Sequence, residues 1–171
     1  MKIFFWKYNT PQGFDNLFMT SDGEALTGLW FENSPDMSKH PRMCEEPRLL
    51  PVFQQTIQWL DGYFAGKPVA DAPRLSFPGL TPFRAEVVEY MKRIPYGETT
   101  SYGDIAKALA KKRGLPRMSA QAVGGAVGWN PICLIIPCHR VLGSDGSLTG
   151  YGGGLENKKQ LLLHEGIRFR S

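Results

Sequence analysis

The chain has 171 residues, 42% of them hydrophobic and 21% charged, an ordinary globular composition that leaves room for one large domain or two small ones. Its three cysteines, Cys44, Cys133 and Cys138, are odd in number and widely spaced, which argues against a disulfide framework; the apolar opening is cut short by Lys7, so a cytoplasmic protein is expected. The net charge of +4 is uneven, with seven basic and nine acidic side chains in residues 1–76 against thirteen and seven in residues 77–171.

Residues 2–8, 16–20 and 26–31 read as short strands separated by Pro11-Gln12-Gly13 and Ser21-Asp22-Gly23, a meander of hairpins. A polar, proline-containing loop follows over residues 33–48. A helix is expected over residues 50–64: Pro51 suits the first turn, and Phe53, Ile57, Leu60 and Phe64 share an apolar face. Residues 67–82 hold four prolines and read as an extended linker. Two domains are therefore expected, residues 1–76 and 77–171.

Beyond the linker the period becomes helical. Phe83, Val87, Tyr90 or Met91, and Ile94 form one stripe, ended by Pro95-Tyr96-Gly97. Thr100 or Ser101 can cap the next helix, with Asp104 in its first turn and Ile105 and Leu109 on its inner face. Gly114-Leu115-Pro116 stops it, and Ser119 caps a further helix over residues 120–127. This is the layout of a helix-turn-helix, although two helices that merely pack together share it.

The second of these helices is built from small residues: Ala120, Ala122, Gly124, Gly125, Ala126 and Gly128. Each interior glycine costs a helix about 1 kcal/mol relative to alanine. Such a surface lets a backbone come close to a nucleic acid or to another helix. Between Asp104 and Asp145 there is no acidic residue, while Lys107, Lys111, Lys112, Arg113, Arg117 and Arg140 all lie there. That run reads as a phosphate-facing surface.

Residues 132–136 form an apolar, strand-like run that ends at Pro137, and Cys138 and His139 follow directly. A thiol at the end of such a run, in cationic company, is expected to be exposed and ionisable. A packed thiol beside a surface histidine is the alternative. Cys133, inside the run, reads as a packing residue.

Pro137-Cys138-His139-Arg140-Val141, preceded by Asn130-Pro131 and Ala122-Val123-Gly124-Gly125-Ala126, resembles the active-site signature of the O6-alkylguanine-DNA alkyltransferases (methylated-DNA–protein-cysteine methyltransferases). Ile94-Pro95-Tyr96-Gly97-Glu98-Thr99-Thr100-Ser101-Tyr102, Gly150-Tyr151-Gly152-Gly153-Gly154-Leu155 and Leu162-Leu163-His164-Glu165-Gly166 match the same family in order, so the resemblance spans residues 80–168. The first 75 residues resemble, loosely, its small ribonuclease H-like α/β domain. The resemblance implies that domain followed by a mainly α, winged-helix-like domain carrying the helix-turn-helix.

By the same resemblance, the partner is double-stranded DNA containing alkylated guanine. The reaction is a stoichiometric transfer of the alkyl group from guanine O6 to Cys138, with O4-alkylthymine open as a second substrate. No cofactor is implied, and a monomer, nucleoid-associated in a bacterium, is expected. His139 takes the thiol proton through a water and is oriented by Glu165. Tyr102 donates to N3 of the extruded base, and Asn130 ties the helix-turn-helix to the active-site turn. Tyr151 belongs to the loop over the base, and the Gly152 amide reaches O6. The carbonyls of Cys138 and Val141 accept from the exocyclic amine. Gln121 fills the gap left by the base, and Ser101, Ser119, Ala122, Gly125 and Arg140 join it on the DNA-facing surface.

Three departures from the family stand out. Gln121 occupies a position where many members carry arginine, and Gly152 one where serine is frequent. The N-terminal region offers only His40 and Cys44 where animal members bind zinc, so no metal site is expected. Glu165, just before the C-capping Gly166, opposes the helix macrodipole, which a cationic partner would explain. Two rival functions remain open on the residues alone: a cysteine hydrolase or acyl transferase using Cys138, His139 and Glu165, and a non-enzymatic lesion-sensing module.

Overall fold

Strands β1 (Phe4–Tyr8), β2 (Leu17–Ser21) and β3 (Leu26–Phe31) form the expected antiparallel meander, in register with Trp6 opposite Met19 and Met19 opposite Leu29. The computed structural model describes residues 2–39, 46–67 and 71–170. Both hairpins turn on a glycine at positive φ, Gly13 at 103° and Gly23 at 111°. A short strand β4 (Glu46–Pro47) pairs parallel to β1, giving the order β3-β2-β1-β4. The stretch expected as a plain polar loop thus contains β4 and a 3-10 turn, Pro35–Lys39. His40 and Cys44 lie outside the described residues.

Helix α1 (Pro51–Phe64) starts at the proline, as expected, but its buried face is Phe53, Thr56, Leu60 and Tyr63. Ile57 and Phe64 are only half-buried. The apolar stripe is rotated because two polar side chains on it find partners: Thr56 donates its hydroxyl to the Val52 carbonyl (2.7 Å), and Tyr63 reaches Glu165. The described part of the linker runs extended beside β3, where the Leu26 amide donates to the Arg74 carbonyl (2.8 Å) and the Ser76 amide to the Leu26 carbonyl (2.9 Å).

The remaining helices are α2 (Pro82–Lys92), α3 (Tyr102–Arg113), α4 (Ala120–Trp129) and α5 (Leu155–His164). Ser101 caps α3 by accepting from the Asp104 amide (3.0 Å), and Ser119 caps α4 by accepting from the Ala122 amide (3.2 Å). Gly114 ends α3 in the left-handed region at φ 69°. Strands β5 (Thr100–Ser101) and β6 (Val141–Leu142) pair in parallel and join the start of α3 to the chain that follows Cys138. Among the described residues, no helix is long and apolar enough to cross a membrane.

Residues 132–136 are not a strand. Only Ile132 pairs, with Leu29 of β3, and the chain then coils tightly, with Leu134 at φ 69° and the Ile136 amide bonded to the Ile132 carbonyl (3.2 Å). Ile132, Cys133, Leu134 and Ile136 are all buried. Such an unbroken apolar run carries no alternation, and burial on all sides is satisfied here by a turn.

That turn fastens the sheet to the helices. Leu29 donates its amide to the Pro131 carbonyl (2.9 Å) and accepts from the Cys133 amide (3.0 Å). One continuous core runs from Tyr8, Leu17 and Phe53 through Leu29 and Ile132 to Val123 and Leu161. The sheet and the helices therefore share their packing. Leu29→Ala is expected to cost about 2–5 kcal/mol and to lower the midpoint of sheet and helices together, measured as one coincident transition by far-UV circular dichroism and tryptophan fluorescence in urea.

Candidate active site

Proline at 137 and the tight turn before it deliver Cys138 to the floor of a cavity of about 900 Å³. One wall is α4, through Ala120, Gln121, Gly124, Gly125 and Gly128. The opposite wall is the chain from Thr149 to Gly152, with Tyr102 at the start of α3 between them. Asn130 ends α4 and closes the turn: its amide nitrogen donates to the Ile136 carbonyl (3.0 Å) and its oxygen accepts from the Ile132 amide (3.0 Å). The floor is thereby locked to the end of α4.

Cys138 is not exposed; it retains 7% of its surface. Burial pushes its thiol above the ordinary value, opposed by the Asn130 side chain, and the carboxylate of Asp36 adds to the rise while Lys158 and Lys39 pull it down. The expected ready thiolate is therefore a buried thiol in the resting protein. Cys133 is fully buried and further raised, chiefly by desolvation.

Behind Cys138 lies a buried ionic cluster. His139 has no exposed surface, and its Nε2 sits 2.6 Å from Glu165 Oε2. Arg140 donates through Nε to Glu165 Oε1 (2.8 Å), through Nη2 to Oε2 (3.2 Å), and through Nη1 to the Ile94 carbonyl (2.8 Å). Tyr63 donates its hydroxyl to Glu165 Oε2 (2.6 Å), and the Gly97 amide donates to Oε1 (2.9 Å). Gly97 holds φ 82°, where other residues are strained, and so presents its amide to the carboxylate.

Burial alone would raise the Glu165 carboxyl. The hydrogen bond from His139, then the Arg140 guanidinium and the Gly97 amide, overcome it and hold the group at about 2. An ionised Glu165 accepts from His139 Nε2–H, which leaves Nδ1 as the basic nitrogen. Nδ1 is buried and has no hydrogen-bond partner among the described residues. Burial lowers the histidine below its ordinary value, so it rests neutral and able to accept a proton.

Arg140 is a correction. It was expected on the DNA-facing surface, yet it is buried, paired with Glu165 and stacked over the Tyr96 ring at 5.7 Å. It is the cationic partner that Glu165 needed, and a guanidinium satisfied on a buried carboxylate has no reason to face solvent. Within the acid-free run, Arg113 is likewise paired, with Glu86 of α2 (3.0 Å). Lys107, Lys111, Lys112 and Arg117 are exposed.

The other expected residues divide by position. Ser119, Gln121, Ala122 and Gly125 form one exposed face of α4, and a β-carbon on Gly125 or Gly128 would meet nothing within 4 Å. Tyr102 accepts from the Thr149 hydroxyl (3.2 Å), and a β-carbon on Gly124 would come into van der Waals contact with its ring. Ser101 spends its hydroxyl on the α3 cap. The Val141 carbonyl accepts from Lys158 (2.9 Å), and the Cys138 carbonyl from the Val141 amide. Each carbonyl keeps a second lone pair for a ligand. Tyr151 and Gly152 both line the cavity.

Four residues at this site escaped the sequence reading. Tyr63 and Lys158 left a signal: each lies on the buried stripe of its helix, Tyr63 with Leu60 and Lys158 with Leu161 and Leu162, where a polar group needs a partner. Lys158 is fully buried, and desolvation brings its ammonium down to about 8. Asp36 and Lys39, from the 3-10 turn after β3, left none, because only tertiary folding carries them to the cavity. Among the described residues, no cluster of three or more His, Cys, Asp or Glu side chains could hold a metal ion.

Residues 82–167 match the family model described as 6-O-methylguanine DNA methyltransferase, DNA binding domain. The chain belongs to this family. The Haemophilus influenzae methylated-DNA–protein-cysteine methyltransferase is 37% identical over 167 residues, covering 98% of this chain and 88% of its own length. The Mycobacterium leprae protein of the same name is 47% identical over 146 residues, 85% and 83% of the two chains. The fold superimposes on crystal structures of the Mycobacterium tuberculosis enzyme of this family. Its complex with DNA gives a TM-score of 0.77 at 35% identity, covering 95% of this chain and 92% of that one.

The Glu165 cluster has a signature in acid. Its folded value lies below the unfolded one, so the stability it contributes is complete above about 4.5 and is lost as pH falls towards about 2. Urea unfolding at stepped pH should show that loss in the native protein. In Glu165→Gln, less stable at neutral pH because Arg140 is left buried without its anion, the slope across that window should be reduced.

Proposed function

We propose that the chain repairs alkylated guanine in double-stranded DNA by one irreversible transfer of the alkyl group from O6 to Cys138. The observation that carries this is the placement of Cys138 on the cavity floor, between an exposed small-residue helix and a buried His139–Glu165–Arg140 cluster. A base stacked in a duplex cannot reach a buried thiol. The nucleotide must swing out, at a cost of a few kcal/mol. The open face of α4 offers a surface that a groove can approach without steric conflict, and Gln121 projects from it at the cavity rim.

The transfer is an in-line displacement. His139 Nδ1 takes the thiol proton through a water; the sulfur bonds the alkyl carbon as the carbon–O6 bond breaks, and the electron pair stays on guanine. The resulting imidazolium is stabilised by Glu165, whose charge Tyr63, Arg140 and Gly97 hold in place. The leaving guanine needs its negative charge met by donors already in position. Tyr102 serves N3, and the amide of Gly152 serves O6. The carbonyls of Cys138 and Val141 select the exocyclic amine. The thioether is not hydrolysed, so each chain acts once.

The division into residues 1–76 and 77–171 belongs to the same proposal. The family match beginning at residue 82, and the change from sheet to helices across the linker, support it. The meander with β4 and α1 is consistent with a ribonuclease H-like unit. Helices α3 and α4 with the β5/β6 pair are consistent with a winged-helix-like one. The exposed lysines of α3 and Arg117 are assigned to DNA phosphates, and in a bacterial cell the protein would associate with the nucleoid.

Two experiments test this reading. After incubation with a duplex carrying O6-methylguanine, intact-mass analysis should show one added methyl group per chain, on Cys138, and Cys138→Ser should show none while still binding DNA. Turnover beyond one equivalent, or label on Cys133 or Cys44, would remove the single-use mechanism. In the second, Gln121→Ala is expected to slow repair of duplex substrate about tenfold or more, on the scale of one to a few kcal/mol for a side chain that fills the stack. Reaction with free O6-benzylguanine, which needs no extrusion, should change little. Equal slowing of both would place Gln121 in the pocket instead of the duplex.

A further inference from the structure

Pro35–Lys39 crosses the mouth of the acceptor cavity and is bonded to both of its walls. The Asp36 amide donates to the Gly152 carbonyl (2.8 Å), on the loop wall. Lys39 donates to the Gly128 carbonyl, on α4, and pairs with the Asp36 carboxylate. Asp36 is 4% exposed although it sits on a short surface turn. Its carboxylate occupies the space that a side chain at 152 would need, since a β-carbon there would overlap it. Glycine at a position where the family often has serine is what admits the carboxylate.

An anion in this place opposes the reaction twice. It disfavours negative charge on the Cys138 sulfur, and it lies beside the Gly152 amide, where negative charge collects on O6. Lys39 keeps the carboxylate charged by direct contact, although burial pushes that carboxyl upward. The reaction therefore runs best with Asp36 withdrawn. Asp36 lines the same cavity that an extruded base would enter.

We infer that Pro35–Lys39 is a strap across the acceptor cavity, and that Asp36 is a positioning residue that restrains Cys138 until a base displaces it. A protein that can react only once gains from such restraint, because stray electrophiles then do not consume it. The inference rests on Cys138 being the alkyl acceptor.

Other groups also bear on the thiol. Lys158 on α5 and Lys39 on the strap favour its ionised form, as does the Asn130 side chain at the end of α4. Tyr102 at the start of α3, Tyr151 on the loop and Cys133 in the turn before Pro137 are raised and neutral. His139 is the base, and Glu165 is neutralised by Arg140 behind it. Asp36 is thus the anion at the cavity whose charge no catalytic step uses.

The test measures the rate of carbamidomethylation of Cys138 by iodoacetamide across pH, read by peptide mass. The thiolate displaces iodide, and the proton it has lost goes to solvent. Asp36→Asn keeps the shape of the side chain and removes its charge. Its midpoint is expected to fall by about one pH unit, which gives about tenfold faster labelling below the native midpoint. Gly152→Ala drives the carboxylate out sterically and should move the midpoint the same way. Thermal melting of both variants checks folding, and if Asp36→Asn melts early, Gly152→Ala decides. An unchanged or raised midpoint in the folded variants overturns the strap. Because labelling needs neither DNA nor alkyl transfer, that result is distinct from a failure of Cys138 to accept methyl from a duplex.

Discussion

The buried carboxylate of Glu165 is the point on which the site depends. It accepts hydrogen bonds from Tyr63 on α1, from the Gly97 turn after α2, and from His139 and Arg140 beside the acceptor cysteine. A single anion at the end of α5 thus ties three other chain segments to it, and each must supply its donors or leave the charge poorly paired in the core. Taking an ion out of water costs several kcal/mol, repaid only when nearly every lone pair is satisfied. Here the cluster comes close to that condition. The requirement fixes the relative placement of α1, α5 and the Cys138 turn far more tightly than apolar packing would.

The chemistry follows from that anchoring. A carboxylate saturated with donors cannot easily take a proton, so it orients the imidazole and meets its charge without leaving the anionic state. His139 is buried and neutral, with Nε2 committed to Glu165 and Nδ1 free to accept. Cys138 is buried too, which raises the thiol and makes the resting protein quiet. The site therefore combines a buried thiol with a buried, neutral imidazole on the next residue, and several charges of both signs act on the thiol. Lys158, Lys39 and Asp36 decide which way the balance tips. An arrangement of this sort suits a chain that reacts once.

The second constraint is steric. Helix α4 gives up side chains along its exposed face, which costs helix propensity and gains open space beside the cavity. The loss is tolerable because Val123, Ala126 and Val127 still bury the opposite face, and Ser119 and Asn130 tie down the two ends. The sheet contributes indirectly: Leu29 clamps the turn before Pro137, and the 3-10 turn leaving β3 reaches across to the cavity mouth.

Much of this was legible in the sequence. Hairpin glycines, Pro51, the Ser101 and Ser119 caps, and the Gly114 stop set the elements, because local backbone chemistry decides such features within a few residues. The Cys-His pair, the small-residue helix and the out-of-place Glu165 marked the site before its geometry was known. What the sequence could not decide was which groups meet across long separations. Residues 132–136 had the composition of a strand, but burial on every side and the Asn130 bonds made them a turn. Arg140 looked like a surface cation until a buried carboxylate was found within reach. Tyr63, Asp36 and Lys39 come from the far half of the chain, and no local pattern ties them to Cys138. Charge and burial act through space, so their consequences for the thiol, the histidine and Glu165 exist only once the chain has folded.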